Sequence, residues 1–213
     1  MKALQGIGDF LDIGGPVVWI LAAMSIIALS IILLKIWQFV TTKPETLGNL
    51  DAALSMWRKG DRQQALDGVD RELFAGEVVE VAMQGLTQNQ MEESVLREEL
   101  DRVASAKLND LRTLLPALDA IGTLAPLLGL LGTVLGMIDA FQAMEAAGTQ
   151  VDPSVLSRGI WQALITTALG LSVAIPSLIA FNWMDRKIQR VATQMGDLVT
   201  QVFTHFQVDS GKK

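Results

Sequence analysis

The chain has 213 residues, of which 50% are hydrophobic and 19% charged, and its mean hydropathy is +0.37. A soluble domain usually carries about 25% charge, so apolar residues outnumber what one small core needs and an all-α integral membrane protein is expected. A net charge of −6 speaks against a nucleic-acid partner, the absence of cysteine excludes a disulfide framework, a Cys-ligated metal and a thiol nucleophile, and a lone His205 speaks against a His-rich metal centre or a Ser-His-Asp triad.

Charge is distributed unevenly, and three runs contain none. The first, residues 13–34, has 22 residues between Asp12 and Lys35, with Trp19 near one end and Trp37 just beyond the other. Its N-terminal flank holds one Lys and two Asp, and no small-x-small cleavage pattern follows promptly, so it reads as an anchor and not as a secretory leader. Interfacial tryptophans suit that reading. Residues 41–113 then read as a helical polar domain, punctuated by Gly48, Gly60, Gly68 and Gly85. Within it, residues 91–115 place Leu96, Leu100, Val103, Leu111 and Leu115 at helical spacing, with Glu93–Arg97 and Glu98–Arg102 as i, i+4 pairs. This helix is expected to lead into the second run, with a kink or step at Pro116.

The second run, 120–138, has 19 residues between Asp119 and Asp139, and the third, 159–184, has 26 between Arg158 and Asp185. A hydrocarbon core of roughly 30 Å needs about 20 helical residues, so each run can span once. The predicted segments are an external N-terminus (1–12), spans at 13–40, 114–140 and 159–184, a cytoplasmic domain (41–113), a periplasmic hairpin (141–158) and a cytoplasmic tail (185–213). Orientation follows from Lys and Arg alone: residues 41–113 hold nine and the tail from 185 holds five, against only Lys2 before the first run and Arg158 in the hairpin. In the tail, Ile188, Val191, Met195, Leu198, Val202 and Phe206 mark an amphipathic continuation of the third helix.

Two of the spans carry small, polar faces. Asp119, Gly122, Pro126, Gly129, Thr133, Gly136 and Ala140 follow one another at three- and four-residue steps, opposite Leu124, Leu127, Leu131, Leu135 and Ile138. In the third span, Gly159, Gln162, Ala163, Thr166, Thr167, Gly170, Ala174 and Ser177 share an arc opposite Leu164, Leu171, Ile175 and Ile179. One reading is close helix packing with hydroxyls back-bonded to their own helix. The other is a polar path, because Thr133 and Thr167 both lie roughly 6 Å to the external side of the midpoints of their runs at 1.5 Å per residue. Thr123 and Ser177 match on the internal side.

No Asp, Glu, Lys, Arg or His lies inside any of the three runs. This chain therefore holds no titrating carrier at mid-membrane. Asp119, at the internal edge, reads as an interfacial carboxylate near a helix start or as the inner end of the seam. An ion crossing here needs a carboxylate from a second polypeptide, and one protomer has too few helices to close a channel, so a homo-oligomer is expected. No phosphate-binding loop, cofactor motif or catalytic constellation appears; Glu145 with Asp152 reads as solvated loop charge. Neither a metal nor a cofactor is expected.

The run from Thr123 through Ala125-Pro126-Leu127-Leu128-Gly129-Leu130-Leu131-Gly132-Thr133 to Met137, followed by Gly159-Ile160-Trp161-Gln162 and Thr166-Thr167-Ala168-Leu169-Gly170 through Pro176, resembles the MotA/TolQ/ExbB proton-channel family. Gly14-Gly15-Pro16-Val17-Val18-Trp19 and Lys35-Ile36-Trp37 look more like the ExbB branch than TolQ, and three spans instead of four differ from the flagellar stator MotA. The resemblance implies a subunit of a Gram-negative inner-membrane complex, five copies of which surround a pore holding single-span helices of an ExbD- or TolR-like partner. That partner's membrane Asp takes protons from the periplasm, and the work passes to a TonB-like transducer. Carried onto this sequence, Thr133 and Thr167, with Gln162 and Thr166, are expected to line the proton path, while Pro126, Gly129, Gly132, Gly136 and Gly170 shape its wall.

A scaffold whose seams only join helices, a TolQ-like envelope role and a Na⁺-driven relative are the competing readings. Many family members carry Glu where this chain has Gln162, and Gln hydrogen-bonds but takes up no proton at physiological pH. Gln162 is therefore expected to act as a hydrogen-bonding element of the path and not as an obligatory relay. Replacing Gln162 with Leu should reduce proton flux through the reconstituted complex, and unchanged flux would discard that role.

Overall fold

The computed structural model describes residues 15–88, 91–147 and 153–210. All regular structure among them is α-helical: α1 (Gly15–Thr42), α2 (Leu50–Arg58), α3 (Arg62–Asp67), α4 (Gly76–Gln88), α5 (Glu93–Arg112), α6 (Leu115–Ala147) and α7 (Pro153–Ser210). Among the described residues, three helices are long and apolar enough to cross a membrane: Gly15–Thr42, Leu115–Ala146 and Leu156–Gln207. The N-terminal flank and the tip of the hairpin at 148–152 lie outside the described residues.

The chain folds as two compact units. One takes in α1 up to Lys35 together with Leu114–Trp183. Its interior is thin. Val17, Leu21, Ala125 and Ala174 form one buried cluster, and Ala28, Ile31, Leu118 and Ile121 form a second, with Met24 packed against both. Large apolar side chains such as Ile26, Leu127, Leu164 and Ile179 point outward. An outward apolar sheath of this extent suits lipid or neighbouring subunits and not water. Helices are also what such surroundings require, because each satisfies its backbone internally.

The other unit, Ile36–Thr113 with Met184–Lys213, is built like a soluble domain. Leu50, Ala53, Leu54 and Trp57 of α2 recur at i, i+3, i+4 and i+7 and are all buried. Leu50, Leu54 and Trp57 pack with Val78, Val79, Ala82 and Met83 of α4, Leu96, Leu100 and Val103 of α5, and Val191, Met195, Leu198, Val202 and Phe203 of α7. The predicted amphipathic tail is thus the unbroken end of α7. Trp57 donates its indole N–H to the Val202 carbonyl at 2.9 Å and stacks on Phe206, with the Arg62 guanidinium over the Phe206 ring. Glu45 ties the loop after α1 to α7 through Lys187 at 3.0 Å and Arg190 at 3.3 Å.

Three local expectations need correction. The helix foreseen over 91–115 ends at Arg112, and Leu114 turns the chain with a φ of 67°. Pro116 is then the second residue of α6, where its missing N–H would have no intrahelical partner in any case. Gly85 does not break a helix; it lies inside α4, and a Cβ there would collide with the Leu96 side chain of α5. Arg102 pairs with Glu99 at 2.6 Å instead of Glu98, the i, i+3 position being equally within reach, whereas Glu93–Arg97 forms as foreseen at 2.8 Å. The hydrogen bond from Arg97 holds the Glu93 carboxyl below its ordinary value of 4.5, and the bond from Arg102 does the same for Glu99.

Trp57 joins the most distant parts of this core. Trp57→Phe should lose one net hydrogen bond, about 1 kcal/mol, and Trp57→Ala about 3 to 5 kcal/mol. Denaturant unfolding followed by circular dichroism measures both, and equal effects would refute the contribution assigned to the ring.

Candidate ion-path helix pair

The small-residue faces of α6 and α7 meet each other. Their contacts run antiparallel, from Ala140 with Gly159, through Gly136 with Ala163 and Gly132 with Thr166, to Gly129 with Thr167 and Gly170, and then Gly122 with Leu178. The glycines are needed because the backbones are close. A Cβ on Gly170 would stand 2.5 Å from the Ala125 carbonyl oxygen, and one on Gly129 would stand 2.9 Å from the Thr166 carbonyl oxygen and 3.0 Å from the Thr167 Cα. At Gly136 the nearest atoms are at 3.5 Å, an ordinary contact.

Close approach brings side-chain hydroxyls of one helix to carbonyls of the other. Thr167 Oγ1 donates across the seam to the Gly129 carbonyl at 3.1 Å. Thr166 Oγ1 donates to the Ala163 carbonyl at 2.7 Å, with the Gly129 carbonyl a second acceptor at 3.3 Å. Thr133 Oγ1 donates within its own helix to the Leu130 carbonyl at 2.6 Å. The register puts Thr133, next to Gly132, at the level of Thr166.

Exposure separates these residues. Thr166 is only 1% exposed and is enclosed between the helices. Thr133, Thr167 and Gln162 are half-buried. Gly129, Gly132, Gly136 and Gly170 are buried in the seam, whereas Pro126 is half-buried inside α6. Pro126 has no N–H, which leaves the Gly122 carbonyl without its i+4 donor. Asp119 is half-buried in the first helical turns of α6; Thr123 is exposed, and Ser177 is buried with its hydroxyl bonded to the Val173 carbonyl at 2.7 Å. The opposite faces, Leu124, Leu127, Leu131, Leu135 and Ile138 on α6 and Leu164, Leu171, Ile175 and Ile179 on α7, all point outward.

Two features escaped the sequence reading. The burial of Lys35, the charge that ends the first run, is one of them: it is 3% exposed. Ala125, absent from the α6 stripe read from spacing, is as buried as Ala163 and Ala174 of the α7 arc; alanine is too common in apolar spans for one more seam position to stand out. Among the described residues, no three His, Cys, Asp or Glu side chains group so as to hold a metal. What the pair offers is a layer of hydroxyls and carbonyls set in the charge-free stretches 120–138 of α6 and 159–184 of α7.

Sequence comparison places this pair inside a recognised segment. A profile described as the MotA/TolQ/ExbB proton channel family matches residues 69–197. A biopolymer transport ExbB homolog of Methanothermobacter thermautotrophicus is 29% identical over 180 residues, 82% of this chain and 61% of that protein. The biopolymer transport protein ExbB of Pseudomonas putida is 32% identical over 103 residues, 48% of this chain and 31% of that protein. The Tol-Pal system protein TolQ of Pseudomonas aeruginosa is 37% identical over 82 residues, 38% of this chain and 35% of that protein. The chain thus spans less than two thirds of the length of each.

The seam makes a graded prediction. Gly170→Ala meets backbone and should destabilise the helix pair by about 1 to 3 kcal/mol, whereas Gly136→Ala should be close to neutral. Thermal unfolding in detergent ranks the two, and equal midpoints would contradict the packing described.

Proposed function

The chain belongs to the MotA/TolQ/ExbB proton channel family, and on that premise we propose that it is the ExbB-like ring subunit of an inner-membrane motor driven by the proton motive force. Its N-terminus lies in the periplasm, its C-terminus in the cytoplasm, and five copies enclose the pore. A single-span ExbD- or TolR-like partner supplies the proton-binding Asp, and a TonB-like transducer receives the work. The observation that carries this reading is the hydroxyl layer of Thr133 and Thr167 in helices without one ionisable residue between 120 and 138 or between 159 and 184. Such helices can hydrate or solvate a carrier but cannot be one. Thr133, Thr167 and Gln162 face the carrier, Thr166 closes the wall behind them with Gly129, Gly132, Gly136, Gly170 and Pro126, and Asp119 stands at the inner edge.

A TolQ-like role in a Tol-Pal-type envelope system is the second reading, favoured by the 37% identity to the Pseudomonas aeruginosa protein. The partner distinguishes the two. Purification from native membranes should recover a small single-span protein bearing a membrane Asp, and its TonB-linked or TolA-linked companion decides between the roles. The mass of the intact complex in detergent should correspond to five copies of this chain. In proteoliposomes, Thr133→Ala and Thr167→Ala should each lower proton flux by about tenfold or more, the scale of one lost hydrogen-bonding group. Flux indifferent to both would leave only the scaffold reading.

A further inference from the structure

Glycine in a helix interior costs stability, because its backbone loses more freedom on folding than that of any other residue, so each one calls for a neighbour that needs the space. Every other described glycine in the interior of α4, α6 and α7 has such a neighbour: a Cβ there would stand 3.5 Å or less from another side chain or backbone. Gly196 of α7 has none. It is exposed, and a Cβ on it would meet nothing within 4 Å.

Gly196 lines a groove of about 400 Å³ between α5 and α7, together with Arg97, Asp101, Ala104, Ala192 and Thr200. On α5 the groove runs from Arg97 to Leu108, roughly 17 Å at 1.5 Å per residue, the length of a three-turn helical segment. Small side chains on both walls, and the missing Cβ of Gly196, let another helix come close. A second surface of the same unit has the opposite form. Among the described residues of Ile36–Thr113 and Met184–Lys213, the exposed large apolar side chains are Ile36, Trp37 and Val40, which belong to α1, and Met91 and Val95. Val95, Glu98 and Arg102 make an exposed stripe of α5 at steps of three and four, with Met91 just before its first turn.

We infer that this stripe of one copy docks in the Gly196 groove of the next, so that the unit outside the charge-free spans adds its own contact between copies. This rests on the proposed function for the ring itself. Rotation about a ring axis keeps every residue at its own height and every helix in its own direction, so the stripe can meet only groove residues near its own level. The charges then agree. Reading along α5, the groove presents Arg97 and then Asp101, and the stripe presents Glu98 and then Arg102, which sets Glu98 against Arg97 and Arg102 against Asp101 of the adjoining copy. Arg97 and Arg102 are held by Glu93 and Glu99 of their own helix, whereas Glu98 and Asp101 have no ion pair among the described residues. The contact gives both carboxylates a partner. Groove and stripe are different surfaces, and a head-to-tail contact of this kind closes into a ring, where a self-matching one makes a two-fold dimer.

The test uses the purified complex with its native single-span partner in detergent, and reads the mass of the assembly, and so the number of copies of this chain, as the complex is diluted. Gly196→Leu enters space that is open within one subunit, so helix content by circular dichroism should not change, while the concentration at which copies separate should rise about tenfold or more, the scale of one overpacked contact. Asp101→Arg, set against Arg102 of the next copy, should act in the same direction, and the swap Asp101→Arg with Arg102→Asp should return most of the way to the parent value. Adjacent residues on one helix do not face each other, so recovery in the swap requires two copies. The charge variants provide the test if Gly196→Leu does not fold. Separation unchanged in both single variants, no recovery in the swap, or loss of the single-span partner with the copies still together overturns the inference and leaves the channel assignment standing. A parent complex with one copy of this chain overturns the functional reading, and the inference with it.

Discussion

The first unit depends on how closely the backbones of α6 and α7 approach around Gly129 and Gly170. Side chains are nearly absent from this contact, and what fills it is main chain against main chain, with the Ala125 and Thr166 carbonyls where a Cβ would otherwise sit. Between helices in lipid there is little hydrophobic drive, because hydrocarbon outside the pair is as apolar as leucine within it. Close packing and hydrogen bonds must supply the association. Both are available only at short range, which is why glycine, alanine and threonine occupy the facing stripes and leucine and isoleucine the outer ones.

The same approach links structure to chemistry. Because α6 comes near, the Gly129 carbonyl meets two threonine hydroxyls from α7. A hydroxyl placed in hydrocarbon without a partner would be costly, and giving its proton to a carbonyl removes that cost while leaving the oxygen usable. The polar surface of the pair is therefore a by-product of its packing, and the close contact and the hydroxyl layer involve different faces of the same residues. Thr166 is enclosed and Thr167 is half-open although they are adjacent, since successive helical residues lie about 100° apart.

The second unit follows water-soluble rules. Its core is assembled from short amphipathic helices and from the end of α7, and a buried indole joins segments 145 residues apart. Ion pairs on its surface, such as Glu93–Arg97 and Glu99–Arg102, are exposed and contribute little to stability individually. The Glu45 link to Lys187 and Arg190 is more enclosed and adds to the turn bonds of the loop after α1, such as that from the Thr46 N–H to the Lys43 carbonyl.

Much of this was legible in the sequence because it follows from spacing within one helix. Runs without charge locate the three long apolar helices, and three- and four-residue steps identify which stripe of α5 and of the α7 tail is buried. Steps of three and four also separated the glycine-threonine stripes of α6 and α7 from the leucine-isoleucine stripes. The break at Thr113–Leu114 was not legible, since nothing local forbids helix there and Pro116 drew attention two residues too late. Nor was the interior position of Gly85, whose reason is a leucine on the next helix.

What the sequence by itself determined is therefore the periodic part: which residues are helical, which face of each helix is small or greasy, and that no ionisable group lies within the runs 13–34, 120–138 and 159–184. Only the tertiary structure decided what those faces meet, that Thr166 is sealed while Thr167 reaches across to Gly129, and which way each hydroxyl donates. The physical reason is that periodicity is a property of one helix, whereas the direction of a hydrogen bond depends on the acceptor, and the acceptor for Thr167 belongs to a helix 38 residues away.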